Sequence, residues 1–114
     1  MSLNKGHPSA ITMTYFKPDY VRYIRSDAWK YKCELYWLKY GRWCKACKKT
    51  DRLHVHHMTY DHFKREPLTD LVGLCYACHR EVHRLHRAGG RRVDLRTITL
   101  EFIRTKQLVK ARRK

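Results

Sequence analysis

The chain has 114 residues, 43% of them hydrophobic, with 26 Lys and Arg against 10 Asp and Glu and a formal net charge of +16. That length holds one modest core, and that charge opposes compaction while attracting polyanions at long range. DNA or RNA is the first partner to consider and an anionic membrane surface the second. No apolar run approaches the roughly 18 to 20 residues that a spanning helix needs, and the opening MSLNKGHPSA lacks the apolar core of a secretory signal. The expectation is a cytoplasmic protein whose five cysteines are not a disulfide framework.

In chain order, residues 1–14 lack periodicity and read as a flexible arm, and residues 15–114 as a single domain. SDAWKYKCELYWLKYG reads as a helix: Ser26 is placed as N-cap, Asp27 suits the positive end of the helix dipole, and Gly41 stops it. Trp29, Cys33, Trp37 and Tyr40 recur at helical spacing and form its expected buried face, which makes Cys33 a core residue. CKACKKTDRLHVHHMTY reads as a tight turn and a strand on which Leu53, Val55 and His57 alternate with His54, His56 and Met58. A loop around Pro67 leads to a short apolar stretch, Leu71 to Leu74. CYACHREVHRLHRAGG enters a helix that Gly89 and Gly90 end. A basic C-terminal helix is expected over about 99–110, with Leu100, Ile103, Gln107 and Leu108 near one stripe.

Four cysteines form two Cys-x-x-Cys pairs, Cys44 with Cys47 and Cys75 with Cys78. Each such turn brings two sulfurs onto one ion, and two turns close a tetrahedral zinc site with no open position. The expected role is structural Zn²⁺, tying the first turn to the start of the later helix. The 27 residues between the pairs exceed the roughly 15 to 20 of simple zinc ribbons, and the histidine-rich LHVHHMTYDH lies inside that insert. His79 and His83 are four apart on the expected helix and share a face, a spacing suited to two imidazoles on one metal. A metalloprotease would need Glu directly after the first of them, where HREVH has Arg80, and its inverted pattern would need Glu in place of Val82. Peptide hydrolysis is disfavoured.

In combination, LHVHH, Asp70 after twelve further residues, LCYACH and then His83 resemble the HNH endonuclease family, over Cys44 to His83 within a motif core of 44–87. The resemblance implies an α+β, zinc-stabilised ββα-metal (His-Me finger) core with flanking helices and one divalent ion. It implies His57 as the general base that activates water, His56, His79 and His83 as the ligands of the catalytic ion, and Asp70, in the place usually taken by Asn, as the residue that braces the loop and orients the base. The implied activity is metal-dependent hydrolysis of DNA phosphodiester bonds with low sequence specificity. The alternative is a non-catalytic zinc-stabilised DNA-binding module.

Three neutral imidazoles suit Mn²⁺ or Ni²⁺ better than Mg²⁺. Arg80, Arg84 and Arg87 on the metal-bearing helix, with Arg91, Arg92 and Arg96 after it, are expected to track the nucleic-acid backbone. Tyr60 and His62 are candidates to flank the substrate, and His54 has no assigned chemistry. No small-molecule cofactor is expected. Neighbours on a regular strand face opposite ways, so His56 and His57 reach one phosphate only if the strand bends or bulges at the doublet or the phosphate wedges at the strand's edge.

Overall fold

A computed structural model describes residues 17–90 and 92–112. The expected N-terminal arm, 1–14, lies outside the described residues, as does Arg91. The elements run α1 (Lys17–Ile24), α2 (Asp27–Tyr40), β1 (Leu53–His57), a single 3-10 turn (Leu68–Asp70), β2 (Leu71–Cys75), α3 (Tyr76–Ala88) and α4 (Leu95–Arg112). The result is a small mixed fold of two antiparallel strands with flanking helices. Among the described residues no helix is long and apolar enough to cross a membrane.

The signals at the ends of α2 act as the sequence suggests. Ser26 Oγ accepts a hydrogen bond from the Trp29 N–H at 3.2 Å, and Gly41, at φ 92°, donates its N–H to the Trp37 carbonyl. The buried face of α2 includes Tyr36 as well as Trp29 and Trp37. The Tyr36 hydroxyl accepts the N–H of Gly73 in β2 at 2.8 Å. The Trp37 indole lies so close to Gly73 that a Cβ there would meet its ring at 2.5 Å.

β1 and β2 pair in regular register: Leu53 with Cys75, Val55 with Gly73, His56 with Val72, His57 with Leu71. The Met58 N–H then bonds the Asp70 carbonyl at 2.8 Å. The pleat sends alternate side chains to opposite faces. His57 and Leu71 face α2, in a core with Tyr23, Trp29, Tyr36 and Trp37. Val72, Leu74 and Met58 face α3 and α4, in a core with Cys44, Val82, Leu95 and Phe102.

Two helices depart from expectation. α1 comes without a sequence signal and supplies Tyr20 and Tyr23 to the α2-side core. α4 begins four residues before the expected Thr99 and buries Leu95, Thr99 and Phe102 with Ile98 and Ile103 beside them, while Leu100 and Leu108 of the expected stripe are exposed. The rows i, i+3, i+4 and i+7 from Leu95 are the true inner face. Thr99 belongs to it because its hydroxyl donates to the Leu95 carbonyl at 2.7 Å, so burial leaves it satisfied.

Candidate metal centre

Two clusters of metal-ligand type stand on the described residues, Cys44, Cys47, Cys75 and Cys78 in one and His56, His79 and His83 in the other. In each, the donor atoms all lie within 4.8 Å of one another.

The cysteine cluster is made by two turns of the same kind. The Cys47 N–H points at Cys44 Sγ at 3.4 Å, and the Cys78 N–H at Cys75 Sγ at 3.5 Å. Cys75 ends β2 and caps α3, so the second turn is the helix start itself. Burial disfavours the Cys44 thiolate, but backbone N–H groups of Cys47, Cys75 and Ala46 outweigh it and bring the thiol down to about 7. Burial and the neighbouring sulfurs push Cys78 up. Four thiols cannot all ionise together without a cation. Cys47 and Cys75 sulfurs are 3.7 Å apart, close to the roughly 3.8 Å that a tetrahedral zinc with Zn–S near 2.3 Å requires. The donor set fits structural zinc.

The histidine cluster joins β1 to α3. His79 and His83, one turn apart, bring their Nε2 atoms to 3.2 Å, and the His56 ring lies 4.9 Å and 5.1 Å from theirs. Hydrogen bonds fix which nitrogen His56 offers. The Thr99 hydroxyl gives its hydrogen to Leu95, so toward His56 Nε2, 3.0 Å away, it can only accept. Nε2 therefore carries the proton, and the lone pair sits on Nδ1. That Nδ1 is buried and has no hydrogen-bond partner. An orphaned lone pair costs about 1–3 kcal/mol, and a cation at the centre of the cluster removes the cost. His79 is oriented likewise: its Nδ1 lies 3.0 Å from His54 Nδ1, which leaves Nε2 for the cluster. Burial, then the neighbouring imidazoles, hold His56 well below its ordinary value and His79 at about 3. Both are neutral at pH 7, the ligand form. Among the described residues the site fits one divalent cation with three nitrogen donors.

His57 lies on the other face of the hairpin. β1 stays regular through the doublet, without the bend or bulge that was one of the two arrangements expected to bring both histidines to one phosphate. The His57 ring is 2% exposed and stacked between Trp29 at 4.7 Å and Tyr60 at 5.0 Å. Its Nε2 donates to Glu66 Oε2 at 2.6 Å. Glu66 also accepts from the Tyr23 hydroxyl, Lys32 Nζ and the Lys64 N–H. Burial raises the Glu66 carboxyl, and the bonds from His57, Lys32 and Tyr23 more than reverse this, holding it well below the usual carboxylate range.

Asp70 braces the loop through its carbonyl, which holds Met58. Its carboxylate serves a different histidine from the one expected. Oδ2 accepts from His62 Nδ1 at 2.8 Å and Oδ1 from Arg96 Nη2 at 2.8 Å. Both partners are donors, so the amide of an Asn would turn an N–H onto one of them. Arg80, Arg87 and Arg92 are exposed, whereas Arg84 forms a two-pronged ion pair with Glu81 at 2.7 and 2.8 Å. Tyr60 is half-buried against His57. Sequence reasoning missed Glu66, Thr99 and the bond of His54 to His79. Only His54 had a signal, its place two residues before His56 on the same strand face.

Comparison with protein-family models, curated proteins and solved structures found no match to the chain. Fold and site together define a small α+β domain with a four-cysteine and a three-histidine cluster, suggestive of a metal-binding, nuclease-like architecture.

Proposed function

We propose that the protein is a metal-dependent endonuclease of the HNH type, with a ββα-metal core, that hydrolyses DNA phosphodiester bonds with low sequence specificity. The observation that carries this reading is the buried, unpartnered Nδ1 of His56, aimed with two further imidazoles at one point on a chain of net charge +16. Cys44, Cys47, Cys75 and Cys78 hold structural zinc that joins the turn before β1 to the start of α3. His56, His79 and His83 hold the working ion, and Mn²⁺ or Ni²⁺ serves better than Mg²⁺ because the donors are nitrogens. When bound, that ion acts as a Lewis acid on the phosphate oxygens.

The chain's own residues do the rest. Arg80, Arg84, Arg87, Arg91 and Arg92 neutralise backbone phosphates, and Tyr60 edges the substrate. Thr99 and His54 fix the tautomers of His56 and His79. An imidazole outside the ligand set takes the proton of the attacking water. The resemblance assigns that step to His57, with Asp70 supporting it. A regular strand and the bond to Glu66 leave His57 facing away from the cluster, so the assignment needs a direct test.

That test is relaxation of supercoiled plasmid in Mn²⁺ by wild type, His79→Ala and His57→Ala. Wild type is expected to nick and His79→Ala to be inactive. A wild type that binds plasmid but leaves it supercoiled across Mn²⁺, Ni²⁺, Co²⁺ and Mg²⁺ would replace this reading with a zinc-stabilised DNA-binding module.

A further inference from the structure

We infer that Arg52, Tyr76 and His54 form a ledge that holds the sugar–phosphate backbone of a DNA strand alongside the three-histidine cluster; this deepens the nuclease reading and rests on it. Successive side-chain contacts join the three residues to one another and to the cluster. The Arg52 guanidinium lies over the Tyr76 ring, 5.0 Å from its centroid. The Tyr76 ring meets that of His54 edge-on at 5.9 Å. The His54 ring meets that of His79, a candidate ligand, at 5.2 Å, with the two Nδ1 atoms 3.0 Å apart. Backbone pairing sets the outer two side by side. The Tyr76 N–H donates to the Arg52 carbonyl at 2.8 Å, next to the Leu53–Cys75 pair, so the turn into β1 meets the first residue of α3.

The needs of the fold do not account for this row. Arg52, His54 and Tyr76 are all exposed, Tyr76 at 42%. A cation over an aromatic ring adds little to stability in water. Arg52 also stands at φ 53°, in the left-handed region that glycine or asparagine enters with less strain. An arginine there supplies reach and charge rather than an easy turn.

Each member offers what a nucleic-acid backbone takes. The Arg52 guanidinium presents planar donors to phosphate oxygens, and packing on Tyr76 limits how it turns. The Tyr76 ring and hydroxyl offer an apolar face and a hydrogen bond to the sugar. His54 has its hydrogen placed by its neighbour. His79 keeps the Nε2 lone pair for the cluster, so its Nδ1–H donates to His54 Nδ1, and His54 carries its own hydrogen on Nε2. That exposed imidazole therefore adds an N–H donor for a phosphate oxygen beside the cluster. Charge continues on both sides. Arg80 follows Tyr76 by four residues, on the same side of α3, and is exposed. Lys48 and Lys49 are exposed in the turn before β1, where Asp51 is the one acid between Cys47 and Leu53. A strand laid across the start of α3 thus meets a nearly unbroken cationic path past His79.

The experiment measures binding of a short fluorescein-labelled DNA duplex, and of its single strand, to zinc-replete protein without Mn²⁺ across a range of salt. It compares wild type, Arg52→Gly, Tyr76→Ala and the double variant, with melting temperature as the check on folding and plasmid nicking in Mn²⁺ alongside. Arg52→Gly suits the left-handed backbone, so it should fold. It is expected to weaken binding about 10- to 100-fold and to reduce the salt slope by about 1. Tyr76→Ala should weaken binding about fivefold on duplex and single strand alike. Because Tyr76 holds the guanidinium, the double variant should lose less than the product of the single losses. In nicking, the losses should fall on KM rather than kcat. Wild-type affinity in both single variants, or a loss in Arg52→Gly at an unchanged salt slope, overturns the ledge while wild-type nicking leaves the nuclease reading standing. A Tyr76→Ala loss confined to the single strand replaces the backbone contact with base stacking and overturns the ledge as stated. A wild type that binds the duplex and never nicks overturns the nuclease reading alone, and one that binds no DNA overturns both.

Discussion

Replacing Glu66 with Ala removes a carboxylate that joins α1, α2, β1 and the loop after it. Its side chain is fully buried and accepts from Tyr23 at 2.8 Å, Lys32 at 2.9 Å, His57 at 2.6 Å and the Lys64 N–H at 3.2 Å. Surface ion pairs are worth little, but here the His57 ring is 2% exposed and Lys32 20%. Removing one partner of a buried charged network costs about 3–5 kcal/mol, because the donors left behind stay desolvated. For a chain of this size each kcal/mol moves Tm by about 4–8 °C, so Glu66→Ala should melt at least about 12 °C lower. Urea unfolding of zinc-replete protein measures the difference.

The pH dependence has a defined sign. The Glu66 carboxyl is lowered on folding from its ordinary 4.5. The stability it contributes is therefore present above pH 4.5 and is lost as pH falls through the folded value. The gap between wild type and Glu66→Gln should narrow as pH drops below 4.5. A loss under 1 kcal/mol for Glu66→Ala at pH 7, or a gap that widens on acidification, would refute the buried network as the tie between these elements.

Stripping the sulfur-bound ion with a strong chelator, or Cys78→Ser, should lower Tm on the order of 10 °C; an unchanged melting point refutes a structural metal. Thr99→Val keeps the volume of α4's inner face but removes the acceptor that sets the His56 tautomer, so affinity at the three-histidine site should fall about 10–100-fold in a competition titration. Equal affinity would mean that His56 is oriented by packing alone. Plasmid nicking should be faster in Mn²⁺ or Ni²⁺ than in Mg²⁺, and equal rates in Mg²⁺ would count against an all-nitrogen ligand set.

What the sequence made legible was local. The Ser26 cap, the Gly41 stop and the pair spacing of the cysteines each involve residues within about one turn, and each stands as expected. The meeting of His79 and His83 follows from helical spacing alone. What stayed hidden is nonlocal. The donors on Glu66 include Tyr23 and Lys32, 43 and 34 positions away, and a Glu beside Pro67 in a loop reads as exposed by every general preference. Thr99 is buried because its own helix satisfies the hydroxyl, which turned the inner face of α4 away from the stripe that Leu100 and Leu108 suggested. Asp70 marked the right loop, yet which imidazole it holds depends on where the chain between Met58 and Pro67 folds back.

The His-His doublet shows how one pleat divides two chemistries. Adjacent imidazoles on a paired strand must diverge. His56 is directed to α3 and α4, where Thr99 holds one nitrogen and the other is left unpartnered among like nitrogens, at a cost of about 1–3 kcal/mol that a cation there would remove. His57 is directed to α2, where Trp29, Tyr60 and Glu66 enclose it and its bond is already made. The bond to Glu66 uses Nε2 and leaves the lone pair of His57 on Nδ1, so any role of His57 at a phosphate runs through that nitrogen. The same strand thus supplies one imidazole of the three-histidine cluster from one face and a core strut from the other.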